Sequence, residues 1–351
     1  MAEGPREPLW AASPHNENDV DMADSDEAAA RHADEDHRAN IFDFFRTHSA
    51  YDVLPESGKV LLLDSAISAY SAFCIMASNE QLAVPVWHSR GDQYVGMLTV
   101  TDILELVLIC HQSKMYDSCA EGLKAMTLHH WFSNYARPSG CPDVSVEVRP
   151  DDDLMMVLRA LVHNDCRVLP VLEREGGELM NHCLIGQVSY LLLFRFLYYH
   201  QESDLVTLNE TLGDVGIGMC GAGKVITVNS RAPLSEALTL MSTNGISGLP
   251  VLDDGGMLVD IFTDSDILSL THFALDIDVA AALGQARRGK VVDTANISCR
   301  SDESLSTIVT RFSGNKCTRL ACVNTEGKVE GVVTLTDLFK FLATAISDLL
   351  E

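Results

Sequence analysis

The sequence predicts an α/β (α+β) fold made of four copies of one βαββα cassette, on three observations. An apolar strand ending at or near proline, a turn, a second strand and an acid-headed helix recur along the chain. The copies read AVPVWHSRGDQYVGMLTVTDILELV (Ala83 to Val107), VLPVLEREGGELMNHCLIGQVSYLLLF (Val168 to Phe194), GLPVLDDGGMLVDIFTDSDILSL (Gly248 to Leu270) and RLACVNTEGKVEGVVTLTDLFKFL (Arg319 to Leu342). Pro85, Pro170, Pro250 and the equivalent Ala321 follow one another at intervals of 85, 80 and 71 residues. Strand-period and helix-period segments alternate within each copy, which is the α/β signature.

Taken in order, residues 1–40 carry 11 acids against 3 Lys/Arg and few large apolar side chains, so they are expected to form a disordered acidic tail. IFDFFRTHSAYDVLP (Ile41 to Pro55) is an aromatic-rich short helix expected to lead into the first repeat. A strand such as VLLLD (Val60 to Asp64) then opens a helix, SAISAYSAFCIMASNE in the first copy. Its counterparts start near Asp152, Pro233 and Glu303. One such unit exposes an apolar sheet face that it cannot cover, so two pairs packed sheet to sheet are expected. The first module spans 41–200, with a helical insertion at about 111–138 whose aromatic cluster Trp131, Phe132 and Tyr135 either packs on the domain or meets a partner. Residues 201–214 read as a polar linker, and 215–351 as the second module.

The net charge of −25 argues against nucleic acid or an anionic membrane as the main partner. Ten cysteines include no CxxC pair, the twelve histidines have no metal-ligand spacing, and the longest apolar stretch (Leu191 to Tyr199, broken by Arg195) is too short to span a bilayer. No metal site, catalytic residue or membrane span is therefore expected. The protein is expected in the cytoplasm, with the nucleus also open to it. GMCGAGK (Gly218 to Lys224) satisfies GxxxxGK, but Val225 replaces the Mg²⁺-binding hydroxyl and a strand follows where a P-loop requires a helix.

The polar rim after each second strand is the candidate site. Thr99, Thr101 and Asp102 form it in the first copy, Thr263 and Asp266 in the third, Thr334, Thr336 and Asp337 in the fourth. Helix capping accounts for one such residue per helix. The recurrence also fits ribose and phosphate contacts, and the two roles can coexist. Arg167 and Arg319 sit near the starts of the second and fourth proline strands, where guanidinium groups facing the cleft would grip phosphate.

The cassette with G-x-[LVI]-[TS]-x-[TS]-D resembles the CBS (cystathionine-β-synthase) repeat, two of which form a Bateman module. FFRTHSAYDVLP, VPVWHSRGDQYVGMLTVTDILEL, GLPVLDDGGMLVDIFTDSDILSL and EGVVTLTDLFKFL further resemble the gamma regulatory subunits of AMP-activated protein kinase. That resemblance implies a disk of four repeats, a non-catalytic energy sensor for AMP, ADP or ATP with no other cofactor, and a heterotrimer with a kinase alpha subunit and a beta scaffold subunit. It implies ribose contacts at Asp102, Asp266 and Asp337, and phosphate contacts at Arg319, Thr334 and Thr336. Met97 to Thr101, Val146, Ser247, Thr263 and Thr318 would line the sites. The sequence departs from the family pattern at Leu82, Arg167, Val168, Ser189 and Thr318, where the family carries other, mostly basic, residues. The competing readings are a structural scaffold with degenerate sites and a free-standing sensor of another adenosyl ligand such as S-adenosylmethionine.

Overall fold

The computed structural model describes residues 37–348, apart from 38, 58, 114–117, 136–145, 175–181, 206, 219–224, 271–274, 290–291 and 316. The expected acidic tail lies outside the described residues up to residue 36. Two helices open the described chain, α1 (residues 39–47) and α2 (Ala50–Val53). The first repeat is β1 (Leu63–Asp64), α3 (Ala69–Ser78), β2 (Ala83–His88), β3 (Gln93–Thr99) and α4 (Val100–Ser113), with α5 (Cys119–Ala125) and α6 (Leu128–Asn134) after it. The second is α7 (Leu154–His163), β4 (Val168–Arg174), β5 (His182–Ser189) and α8 (Tyr190–Leu205), followed by α9 (Leu212–Val215). The third is β6 (Val228–Asn229), α10 (Leu234–Asn244), β7 (Gly248–Leu252), β8 (Leu258–Thr263) and α11 (Asp264–Ser269), with α12 (Val279–Ala286) after it. The fourth is β9 (Ser298–Cys299), α13 (Leu305–Asn315), β10 (Arg319–Val323), β11 (Val329–Thr334) and α14 (Leu335–Asp348).

The four hairpins share one register. Each carries an irregularity at the same step, after Val86, Val171, Val251 and Cys322, one residue beyond the proline position. That position also explains why proline is tolerated in a strand with neighbours on both sides. The parallel strand is only two residues long and starts opposite Val86 or Val251, so no ladder bond is asked of Pro85 or Pro250. In the fourth copy the parallel pairing starts one residue earlier, at Ala321 opposite Ser298. The Ala321 N–H donates to the Ile297 carbonyl at 2.8 Å, a bond proline could not make.

Two large apolar cores hold the molecule together, and each joins repeats from different halves of the chain. One unites repeats 1 and 3 and includes Leu63, Phe73, Leu106, Trp131, Leu238 and Phe262. The other unites repeats 2 and 4 and includes Leu158, Phe194, Leu305, Phe312 and Phe339. Tyr190 stacks on Phe339 across this second core, with centroids 5.6 Å apart. The sheets supply the remaining contacts. Ala83, Tyr94 and Met97 of repeat 1 meet Val168 and Leu172 of repeat 2 in a small apolar cluster. Repeats 3 and 4 meet where Arg319 crosses Gly248 and Met257 crosses Gly327, contacts so close that a Cβ on either glycine would overlap the neighbour. The repeats therefore close a four-membered ring, sheet to sheet within each half and helix to helix between halves.

Helices α1 and α2 precede the first repeat but do not pack on it. Ile41, Phe44 and Phe45 are buried in the core of repeats 2 and 4. Ala50 N–H donates to the Asp152 carbonyl (2.8 Å), and Leu154 N–H to that of His48 (2.9 Å). The second half repeats the arrangement: residues 208–213 precede the third repeat yet bond to Glu303, Ser301, Leu305 and Ser306 of the fourth. Of residues 201–214, expected as a linker, Leu205, Leu208 and Leu212 lie in the core. Asp204 within this stretch is buried and lies 2.7 Å from His37 Nδ1. Among the described residues no helix is long and apolar enough to cross a membrane.

Candidate functional site

Each rim begins as a helix cap. Thr99 N–H and Oγ1–H donate to Asp102 Oδ2 (2.7 and 2.9 Å). Thr263 donates likewise to Asp266 Oδ2 (2.8 and 2.7 Å), and Thr334 to Asp337 Oδ2 (2.8 and 2.6 Å). The same Ser/Thr-x-x-Asp box occurs at Ser49–Asp52 and Thr211–Asp214, away from any rim. Capping therefore accounts for the recurrence of the pattern by itself. What separates the three rims is the other carboxylate oxygen.

In the first repeat that oxygen is taken. Asp102 is fully buried, and its Oδ1 accepts the Trp131 Nε1–H at 3.2 Å. Trp131 comes from the 111–138 insertion, which packs on repeat 1 through α5 and α6 and stacks Trp131 on Tyr135 (4.9 Å). The expected ribose contact at Asp102 is thus met by an indole of the same chain. Thr99 is 7% exposed, Met97 lies in the sheet-to-sheet cluster, and only Thr101 of this rim is half-buried. In the third repeat Asp266 Oδ1 faces Arg287 Nε at 3.5 Å. Arg287 also holds Asp260 through Nη1 (2.6 and 2.7 Å) and donates to the Ile261 carbonyl (2.8 Å). Burial raises the Asp260 carboxyl above its ordinary value, and Arg287 pulls it part of the way back. In the fourth repeat Asp337 is half-buried. Among the described residues no group bonds its Oδ1 or the Thr336 hydroxyl.

The arginines do not occupy equivalent places. β4 opens with Val168 opposite Ser189 and β10 with Arg319 opposite Thr334, so Arg319 corresponds to Val168, and Arg167 to Thr318. Both nevertheless reach one carboxylate in repeat 3: Arg167 Nη1 lies 3.4 Å from Asp264 Oδ2, and Arg319 Nη2 lies 3.6 Å from Asp264 Oδ1. Their side chains are 34% and 12% exposed. Desolvation lowers the Arg319 guanidinium below its ordinary value, Asp264 offsets this, and the group stays charged. Among the described residues the buried Arg319 Nε has no hydrogen-bond partner.

Ser247 and Thr318 stand in one row of the fold: their carbonyls accept from Asp264 N–H (3.1 Å) and Leu335 N–H (3.0 Å), fixing the starts of α11 and α14. Val146 is half-buried against the core of repeats 2 and 4. The structure thus gathers Arg167, Ser247, Thr263, Asp266, Arg319 and Thr334 around the junction of repeats 3 and 4, with Thr318, Thr336 and Asp337 beside it. Asp102, Thr99 and Met97 are buried in repeat 1. Asp264 and Arg287 escaped the sequence reading. Their only signals were a second acid in the third rim (TDSD, against TVTD and TLTD) and the basic pair in QARRG. GMCGAGK falls outside the described residues except Gly218, whose carbonyl accepts from Val332 N–H, and after Lys224 a strand follows. Among the described residues no group of three or more His, Cys, Asp or Glu is placed to hold a metal ion.

The CBS domain family model matches residues 52–109, 222–272 and 289–344. The gamma-3 subunit of 5'-AMP-activated protein kinase from Bos taurus is 29% identical over 309 residues, covering 85% of this chain and 59% of the relative. The human gamma-3 subunit is 29% identical over 310 residues (85% and 60%), and the Dictyostelium discoideum gamma subunit 25% over 315 (87% and 53%). The chain spans just over half the length of these relatives. A crystal structure from Methanocaldococcus jannaschii, of a protein described as an archaeal homologue of the kinase's gamma subunit, superposes with a TM-score of 0.61 at 17% identity, covering 84% of this chain and 99% of that one. It shares the fold of this ring. The chain thus carries three matches to the CBS domain model and is similar over about 85% of its length to gamma subunits of AMP-activated protein kinase.

Proposed function

We propose that this chain is a non-catalytic regulatory subunit that binds adenine nucleotides (AMP, ADP or ATP) and assembles in the cytoplasm with a kinase alpha subunit and a beta scaffold subunit. Likeness to gamma subunits over 85% of the chain supports the assembly. The observation that carries the ligand is the fourth rim. Arg319 stands opposite Thr334, while Asp337 Oδ1 and the Thr336 hydroxyl are unengaged among the described residues. A ribose needs a free carboxylate oxygen for its vicinal hydroxyls, and a phosphate needs guanidinium and hydroxyl donors. Of the three acid-bearing rims, only this one offers all of these. The nucleotide would therefore lie on repeat 4, facing repeat 3.

Titration calorimetry of the purified complex with AMP, ADP and ATP tests the reading, together with an Asp337→Ala variant. Binding to the wild type, weakened by roughly tenfold or more in the variant, is expected. Absence of binding to all three at about 1 mM would sink it. The second reading, a scaffold with degenerate sites, draws on the self-satisfied carboxylates of Asp102 and Asp266. An intact complex whose kinase output ignores both nucleotide and the Asp337→Ala change would favour it.

A further inference from the structure

We propose that Asp264 is a tethered anion occupying the phosphate position between Arg167 and Arg319, and that a phosphorylated ligand binds there only by displacing it. The inference rests on the nucleotide reading for the identity of the ligand, and on charge geometry for the position. Two guanidinium groups from repeats 2 and 4 converge on a single carboxylate from repeat 3, one to each oxygen. Two cations this close repel, and with Arg319 buried and Arg167 half-buried the bare pair would be unfavourable without an anion between them. Asp264, 11% exposed on its side chain, provides that anion in the ligand-free protein.

The fit is imperfect in a way that favours exchange. Charge-assisted N–H···O bonds settle near 2.7–2.9 Å, whereas these contacts are 3.4 and 3.6 Å. Asp264 Oδ1 is also shared with the N–H of Ser265 at 3.0 Å, which holds the carboxylate back toward the start of α11. Arg319 Nε, buried and without a hydrogen-bond partner among the described residues, leaves one edge of the guanidinium fork unused. A terminal phosphoryl group carries more charge and three acceptor oxygens, so it can bridge both arginines and satisfy that edge as well. Before the ligand arrives Asp264 bridges the two arginines, and Asp266 also acts on Arg319 from the same repeat. Asp264 therefore lowers anion affinity without abolishing it, and its release frees the first residue of α11, which packs on repeat 1.

The test is calorimetry of the full chain with inorganic pyrophosphate and with AMP, for the wild type, Asp264→Asn, and Asp264→Asn combined with Arg319→Gln. Asp264→Asn should bind pyrophosphate at least tenfold more tightly than the wild type, and Arg319→Gln should erase the gain. An Asp264→Asn protein that melts like the wild type and binds pyrophosphate no better would overturn the proposal. Should that variant not fold, a crystal structure of the wild type at saturating pyrophosphate decides. An anion between Arg167 and Arg319 with Asp264 turned away upholds the proposal, and Asp264 still between the arginines overturns it. A pyrophosphate gain with no AMP binding would leave this inference standing and remove the nucleotide reading. AMP binding to the wild type without the gain would do the reverse.

Discussion

Replacing Asp102 separates a ribose ligand from a structural carboxylate. The side chain is fully buried and accepts from Thr99 N–H, Thr99 Oγ1–H and Trp131 Nε1–H. In Asp102→Ala the threonine hydroxyl can rotate to another acceptor, but the backbone N–H and the indole N–H cannot. Each fixed donor left unsatisfied in the interior costs roughly 1–3 kcal/mol, so the variant should lose about 4 kcal/mol. For a cooperative unit of about 150–250 residues that lowers the melting temperature by roughly 8–16 °C. Trp131→Phe removes the indole donor to Asp102 Oδ1, so it should lose about 2–3 kcal/mol. By contrast, Asp337→Ala removes a half-buried cap worth about 1 kcal/mol. Thermal melting and AMP titration of the three variants provide the comparison. Asp102→Ala and Trp131→Phe should lose stability and keep their affinity, while Asp337→Ala should lose affinity and only about 1 kcal/mol of stability. An Asp102→Ala protein melting within about 2 °C of the wild type, with AMP affinity reduced, would refute the reasoning.

Two further perturbations probe the ring. Arg287→Ala strands Asp260 in a mostly buried place; with both partners 14–21% exposed, the loss should be about 2 kcal/mol, below the 3–5 kcal/mol of a fully buried pair. Because burial holds the Asp260 carboxyl above its ordinary 3.8, the native state favours its protonated form. That preference stabilises the fold fully below pH 3.8 and is lost as the pH rises through the higher folded value. Losing Arg287 raises the folded value further, so the deficit of the variant should be larger at pH 8 than near pH 4, and a deficit independent of pH would contradict this account. Gly218→Ala places a Cβ 2.3 Å from Val333 Cγ2 at a φ of +68°. Backbone strain and displacement of a core side chain together should cost about 2–4 kcal/mol, and a melting curve unchanged from the wild type would mean the segment does not lie there.

The cassette was legible because it is local. Strand and helix periods, the turn residues and the Thr-x-x-Asp boxes all act within a few residues, and even the Pro-to-Ala exchange at Ala321 has a local cause in the N–H bond to Ile297. Partner choice was not legible. The apolar face of α1 is plain in IFDFF, but periodicity says only that the face is buried, not that its neighbours are Phe339 and Phe196 rather than the adjacent first repeat. The site failed in the same way. Trp131 read as an aromatic on an insertion, and only the fold brings it to Asp102 across 29 residues. Asp264 went unread beside Asp266 in the third rim, yet it meets Arg167 across 97 residues. A rim acid next to a hydroxyl has the same sequence whether its second oxygen is free, bound by an indole or facing a guanidinium.

The two sheet-to-sheet joints differ in kind, and the difference decides which of them can move. The joint of repeats 1 and 2 is apolar: Ala83, Met97, Val168 and Leu172 are at most 7% exposed, and opening it would return that surface to water at about 25 cal/mol per Å² with nothing to offset the loss. The joint of repeats 3 and 4 contains Arg319 and Asp264, with Arg167 reaching in from repeat 2. Under the exchange proposed above, one anion would replace another at these arginines. A ligand's differential free energy can be expressed only where two arrangements lie close in energy. In a closed ring each repeat has one sheet neighbour and one helix neighbour, so a shift at the charged joint reaches repeat 1 through α11 and repeat 2 through α14. Under that exchange the apolar joint would be the fixed hinge against which the shift is felt.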